Sequence, residues 1–169
     1  MTDLTRRWLI ENLWEYFIPA FEENGFQLAP LTGDEADSPE LRSAFPFGHL
    51  RRVRSRELDL DEIQLDKFSR AAFRLNFGAV PAEGIDHPIG GHIKQEDAWV
   101  HDLGRYFEAY SFPTFRRWFA VRRGWFGPSV EEVDYRNLVE DNLGLVCEIE
   151  DALREGKQGR HIRVVDVNT

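Results

Sequence analysis

The sequence predicts an α+β fold: a single antiparallel sheet of four or five strands, covered on one face by an N-terminal and a C-terminal helix. Three observations carry this. Between Ile63 and Val80 apolar and polar residues alternate, Ile63 and Leu65 with Gln64 and Asp66, then Phe73, Leu75 and Phe77 with Arg74 and Asn76. That is the period of half-buried strands. Near the start, Leu13, Phe17 and Phe21 recur at four-residue spacing with Ile10, Trp14 and Ala20 beside them, the stripe of an amphipathic helix. Towards the end, Tyr135, Leu138, Val139, Val146, Ile149 and Leu153 form a second helical stripe.

The first helix is expected over Asp3–Asn24. Gly25 can take the left-handed conformation that closes a helix, and Phe26 can fold back on the last turn. Pro19 lies inside the span and predicts a kink, so that the helix wraps a curved sheet. Residues 30–48 are rich in Pro, Gly and acids and read as a loop with a helical hint at Pro39–Ala44. Leu50–Arg56, Leu58–Phe68 and Ala71–Val80 then read as a meander of three strands.

Residues 81–95 form a second predicted loop. After it, Trp99, Leu103, Tyr106, Phe107 and Tyr110 share the face of a predicted helix. Phe115–Arg123, with Pro113 before it and Gly124 after it, has the aromatic and β-branched content of a fourth strand. Ser129 and Glu132 have the spacing of a capping box at the start of the last helix, and Gly156 supplies its stop. Gly144 costs roughly 1 kcal/mol against Ala in a helix interior, so the stripe is either one continuous helix or one divided there. Asn142 is then either a buried amide needing partners or a mark of that break. His161–Val167 has strand composition and is either an edge strand or a tail.

Composition bounds the function. With 169 residues, 42% hydrophobic and 13% aromatic, the chain predicts one domain over its whole length with a substantial core. No apolar run approaches the roughly 20 residues of a membrane span, and acids interrupt the N-terminal apolar positions, so neither a transmembrane helix nor a signal peptide is expected. A single cysteine, Cys147, forms no internal disulfide and points to a reducing cytoplasm. A net charge of −9 argues against wholesale binding of a phosphate backbone. Within that acidic total only Lys67, Lys94 and Lys157 are lysines among 21 basic residues; the arginine bias reflects genomic base composition or planar guanidiniums recognising a carboxylate or phosphate.

Two candidate sites emerge. If the strands pair as a meander, Arg52 and Arg54, Gln64, and Arg74 with Asn76 project together as an Arg-rich polar face able to hold a carboxylate, a phosphate or a partner's acidic loop. The plainer reading pairs Arg52, Arg54 and Arg74 with Asp59, Asp61 and Asp66. The alternative site is His87, His92 and His101, interleaved with Asp86, Glu96, Asp97 and Asp102, residue types suited to zinc or a harder divalent ion. Their spacing matches no metal signature, and they read more simply as solvated loop residues. The arginine and aromatic run from Arg116 to Gly127 invites a nucleic-acid reading, set against Trp118, Phe119 and Trp125 as core. Dinucleotide, P-loop, hydrolase-elbow and zinc-ribbon motifs are absent from the sequence, so no cofactor is expected.

The order of a helix carrying Phe17, Pro19 and Gly25-Phe26, followed by strands carrying Gln64 and the run Phe73-Arg74-Leu75-Asn76-Phe77-Gly78, resembles the bacterial domain-of-unknown-function family numbered 4304. The resemblance spans roughly Leu4 to Val80. It implies a small cytoplasmic α+β domain and brings no catalytic residues with it; the long acidic loop before the first strand departs from that pattern. The expected function is a non-enzymatic binding or interaction module with the polar sheet face as its recognition surface. An immunity-like role against a basic toxin would suit the net charge, and a small metal-dependent enzyme built on His87–Asp102 is the alternative. An antiparallel sheet leaves an edge for a second copy, so monomer and homodimer both stay open.

Overall fold

The computed structural model describes residues 2–68, 70–113, 116–122, 127 and 129–167. As the alternation predicts, the molecule is built on an antiparallel sheet, with helices from both ends of the chain against it. The sheet has seven strands rather than four or five. They are β1 (Gln27–Ala29), β2 (His49–Arg54), β3 (Glu57–Leu65), β4 (Ala72–Pro81), β7 (Arg105–Ala109), β8 (Phe119–Ala120) and β9 (Ile162–Asp166). The order is β1-β2-β3-β4-β7-β9, with β8 paired to the start of β4. Between β4 and β7 lies a small hairpin, β5 (Ile85–His87) with β6 (Gly91–Ile93).

The first helical segment runs as α1 (Thr2–Asn12), a widened π turn over Leu13–Phe17, and α2 (Ile18–Glu23). Pro19 falls in the first turn of α2, where its missing N–H is least costly. Gly25 closes the helix at φ 85°. The Phe26 N–H donates to Phe21 O at 3.1 Å, and the two rings meet edge to face at 5.3 Å, which is the glycine cap with its hydrophobic contact. The predicted loop 30–48 carries two short helices, α3 (Gly33–Asp37) and α4 (Pro39–Ala44), the latter capped by Ser38, whose Oγ accepts from Leu41 N.

The C-terminal stripe folds as α5 (Glu132–Asp141) and α6 (Leu145–Glu155), divided before Gly144. Asn142 marks the break and donates to Leu138 O at 2.7 Å. The predicted capping box sits two residues too early: the cap is Glu131, whose N–H donates to Asp134 Oδ2 at 2.7 Å. Gly156 ends α6 in the left-handed conformation.

Two elements differ in kind from the sequence reading. The helix expected through Trp99 and Tyr110 is a pair of 3₁₀ turns, Gln95–Asp97 and Val100–Asp102, followed by β7. Trp99, Leu103, Phe107 and Tyr110 fit a helical period by coincidence. Tyr106 to Ala109 also alternate, and pairing with β4 on one edge and β9 on the other gives partners to the backbone groups that point to both sides, which no isolated turn can match. The strand expected over Phe115–Arg123 shrinks to β8 with a bridge between Ser111 and Arg116; Phe115 and Arg123 lie outside the described residues. His161–Val167 resolves as an edge strand.

The pleat sorts the core. On the helix side, Leu50, Ile63, Leu65, Phe73, Leu75 and Phe77 pack with Leu13, Phe17, Phe21, Val139 and Ile149. Burying each such side chain contributes about 1.5–3 kcal/mol. Phe73 lies between Phe17 and Phe119, with ring centroids 5.8 and 5.1 Å away. On the other side a smaller cluster of Leu58, Leu60, Val80, Ala98, Val100 and Leu103 is roofed by the hairpin and the 3₁₀ turns. Gly78 makes that roof fit, because a Cβ there would come within 2.5 Å of the Leu103 side chain. The roof leaves the β8 end of this second face for the site.

Candidate polar face and arginine cleft

Side chains of β4 alternate between the two layers. Phe73, Leu75 and Phe77 enter the core, while Ala72, Arg74 and Asn76 face away from the helices. Register then extends a polar row across five strands. Asn76 stands opposite Glu62 of β3 and Glu108 of β7, and Glu108 opposite Arg163 of β9. His49 of β2 completes the row, its Nδ1 3.6 Å from Glu62 Oε1.

The row is buried and bonded at both ends. Glu62 Oε1 accepts from Val100 N at 2.8 Å, so the roof is fastened to the sheet. Trp99 meets the His49 ring at 4.4 Å and donates through Nε1 to Glu35 Oε1 of α3 at 2.8 Å. At the far end Glu108 Oε2 accepts from Arg163 at 2.9 Å, and Arg117 lies 3.8 Å from its Oε1. Next along the pleat, Gln64 Oε1 accepts from Arg74 Nε at 2.7 Å and from Asn76 Nδ2 at 3.2 Å. The Arg74 guanidinium covers the Trp118 ring at 4.9 Å. Burial pulls Arg74 below the usual arginine value while Glu108 and Tyr106 oppose it, and a guanidinium so placed remains a cation.

Beyond Arg74 this face opens into a cleft of about 690 Å³, lined by Arg70, Ala72, Arg116, Arg117, Trp118, Ala120, Val121 and Arg122. Ala72 and Ala120 are directly opposite each other on paired strands and leave the space. Arg70 is braced by Asp66, its Nε at 3.1 Å and Nη2 at 2.5 Å from Oδ2. Arg122 donates to Ser111 Oγ at 3.0 Å. Among the described residues lining the cleft, every charged one is an arginine.

The five residues expected on one face are therefore divided. Gln64, Arg74 and Asn76 come together, whereas Arg52 and Arg54 are on the helix side, because Arg52 pairs with Asp59 and Arg54 with Glu57 across the β2–β3 turn. There Arg52 bonds Asp59 through Nε and Nη2 at 3.0 and 2.6 Å, Asn24 O at 2.8 Å, and Glu150. Arg54 bonds Asp59 Oδ1 at 2.7 Å and Leu153 O at 2.9 Å. Asp59 thus takes both arginines, Asp66 takes Arg70 in place of Arg74, and Asp61 takes none among the described residues.

His87, His92 and His101 are not gathered either. His87 Nδ1 accepts from Ile89 N and Gly90 N within its own turn, His92 pairs with Asp86 at 2.8 Å, and His101 lies beside Trp99 in a 3₁₀ turn. Among the described residues no three His, Cys, Asp or Glu side chains converge as a metal-binding group. No described helix is long and apolar enough to cross a membrane. Of the run from Arg116 to Gly127, Phe119 is core, Trp118 lines the cleft, and Trp125 lies outside the described residues.

His49, Glu62, Glu108 and Arg163 escaped the sequence reading, as did Arg70 of the cleft; Arg116, Arg117 and Arg122 fall in the run that invited a nucleic-acid reading. Glu62 has the same strand parity as Gln64 and was legible on that ground; Glu108 was concealed by the helical reading of its segment. Compared with protein-family models, with curated proteins and with solved structures, the chain gives no match.

Proposed function

We propose that this chain is a binding module whose recognition surface is the polar sheet face beside β8, and that it takes an anionic group into the arginine cleft. The observation that supports this is an inversion of charge. In a chain of net charge −9, the cleft presents Arg70, Arg116, Arg117 and Arg122 with no carboxylate among its described lining. Guanidiniums offer paired N–H donors that match carboxylate and phosphate oxygens. Gln64, Arg74 and Asn76 support its floor, and Arg52 and Arg54 hold the opposite layer in place without reaching the ligand. A small anion or an acidic protein segment fits this chemistry. A basic toxin of the kind that the net charge alone suggests would have to dock elsewhere on the acidic surface. The cytoplasm and kinship with family 4304 belong to the same reading.

Calorimetric titration with inorganic phosphate tests it. The double variant Arg116→Glu/Arg122→Glu should weaken binding at least about tenfold. Arg7→Glu/Arg56→Glu, which makes the same change in net charge on exposed residues away from the cleft, should leave it within about twofold. Equal losses in both variants, or unchanged binding in the first, would dispose of the cleft as the site.

A further inference from the structure

Resting on that reading, we infer that the cleft takes a small aromatic anion, a planar ring carrying a phosphate or carboxylate, rather than an inorganic ion. A bare anion needs charge and little space. This cleft has about 690 Å³ and an apolar floor as well as a basic rim. The floor is Ala120, backed by the buried Ala72 opposite it, with Val121 and Trp118 alongside. Two alanines facing each other form a flat, shallow pair on a pleated sheet, where larger side chains would fill the space. Trp118 is held in place from behind, since Arg74 lies over its ring and Gln64 fixes Arg74. A ring held this way is a rigid apolar wall, and its orientation is set before a ligand arrives.

The charges are placed at the margin of that floor rather than under it. Arg116 and Arg117 precede Trp118, and Arg122 follows Val121. Arg70 comes in from the β3–β4 turn, fixed by Asp66. A ligand whose ring covers Ala120 and meets Trp118 therefore carries its anionic group outward to the guanidiniums. Few precisely placed polar groups around a mostly apolar concavity are the ordinary composition of a small-molecule site. Phosphate and carboxylate rings share this chemistry, and the arms of the test separate the ring from the charge.

Methyl phosphate and phenyl phosphate, titrated at pH 8 where both are dianions, differ only in the ring. Phenyl phosphate should bind at least about tenfold more tightly, the gain expected from burying one aromatic face. Ala120→Leu fills the floor and should bring phenyl phosphate down to the methyl phosphate affinity while leaving methyl phosphate within about twofold; Ala120→Val serves where the larger residue prevents folding, and thermal melting verifies each variant. The choice between phosphate and carboxylate is read separately by replacing phenyl phosphate with benzoate, which should compete for the same site. Equal affinity of the two phosphates for the unaltered protein overturns the aromatic ligand and leaves the anion site standing. Binding of neither phosphate overturns both.

Discussion

Asp61 is the most unusual single residue in the molecule. It lies on the central strand β3, faces the helix side between Leu50 and Phe77 in the register, is fully buried, and neither carboxyl oxygen has a hydrogen-bond partner among the described residues. Burial, with a smaller contribution from Glu62, pushes its pKa well above the ordinary carboxylate value. An ionised group there would cost several kcal/mol of desolvation, so burial favours the neutral acid over the carboxylate. The folded-state pKa exceeds the unfolded one; the protonated form therefore favours the fold. That contribution is complete below the unfolded value of about 4 and is lost as pH rises towards the folded value. Asp61→Asn keeps the shape and removes the titration. Its stability relative to the native protein, followed by urea unfolding between pH 5 and pH 8, should improve with pH by at most about 1.4 kcal/mol per unit. A difference that stays flat across this range would show that Asp61 ionises in the fold as freely as in the open chain.

The pairing of β2 with β3 decides what Arg52 and Arg54 do. Arg52 ties Asp59 on the neighbouring strand to Glu150 on α6 and lies over the Phe26 ring at 4.4 Å, so it joins sheet, C-terminal helix and N-terminal cap. Removing one partner of a buried ion pair leaves the others uncompensated. Arg52→Ala should cost about 3 kcal/mol in urea unfolding, yet leave phosphate affinity unchanged at temperatures where the variant is folded. Loss of affinity without loss of stability would instead place Arg52 at the site. This division was not legible in the sequence, although much beside it was. Phe17, Pro19 and Gly25-Phe26 specify a capped helix through local rules, and the alternation in β3 and β4 places Gln64, Arg74 and Asn76 on one face because all lie on two strands of fixed parity. Whether Arg52 joins them depends on the two-residue turn at Ser55-Arg56, which pairs Arg54 with Glu57; a shift of one residue would reverse the face. Tyr106 to Ala109 satisfy two periods at once, and only their partners β4 and β9 select the strand. The cleft joins Arg70 to Arg116, Arg117 and Arg122, residues distant in sequence that topology alone brings together.

At the scale of the whole molecule the sheet separates two cores of unequal size. The helix-side core draws on every helix from α1 to α6 except the short pair α3 and α4, whereas the opposite one rests on six buried residues beneath the hairpin and the 3₁₀ turns. Sub-global opening begins where the fewest apolar contacts must be broken. The roof over Leu58, Leu60 and Val80 is therefore expected to open ahead of the sheet. Leu103 is its contact with Gly78, and Val100 N, bonded to Glu62, reports on it. Leu103→Ala should lower the protection of the Val100 amide against hydrogen exchange by about 2 kcal/mol, the smaller end of the cost of a buried leucine, because the site is at the margin of the core. Amides of β3 and β4 that bond within the sheet should keep their protection, and so should Phe26, bonded to Phe21 across the helix cap. Equal loss at all of these positions would mean that both cores unfold as one unit, with the sheet transmitting each layer's stability to the other. Preserved protection outside the roof makes Gln95–Leu103 a separately opening segment, fastened to the polar row at Glu62 and therefore able to change that row's surroundings while the arginine cleft, at the other end of the same face, stays formed.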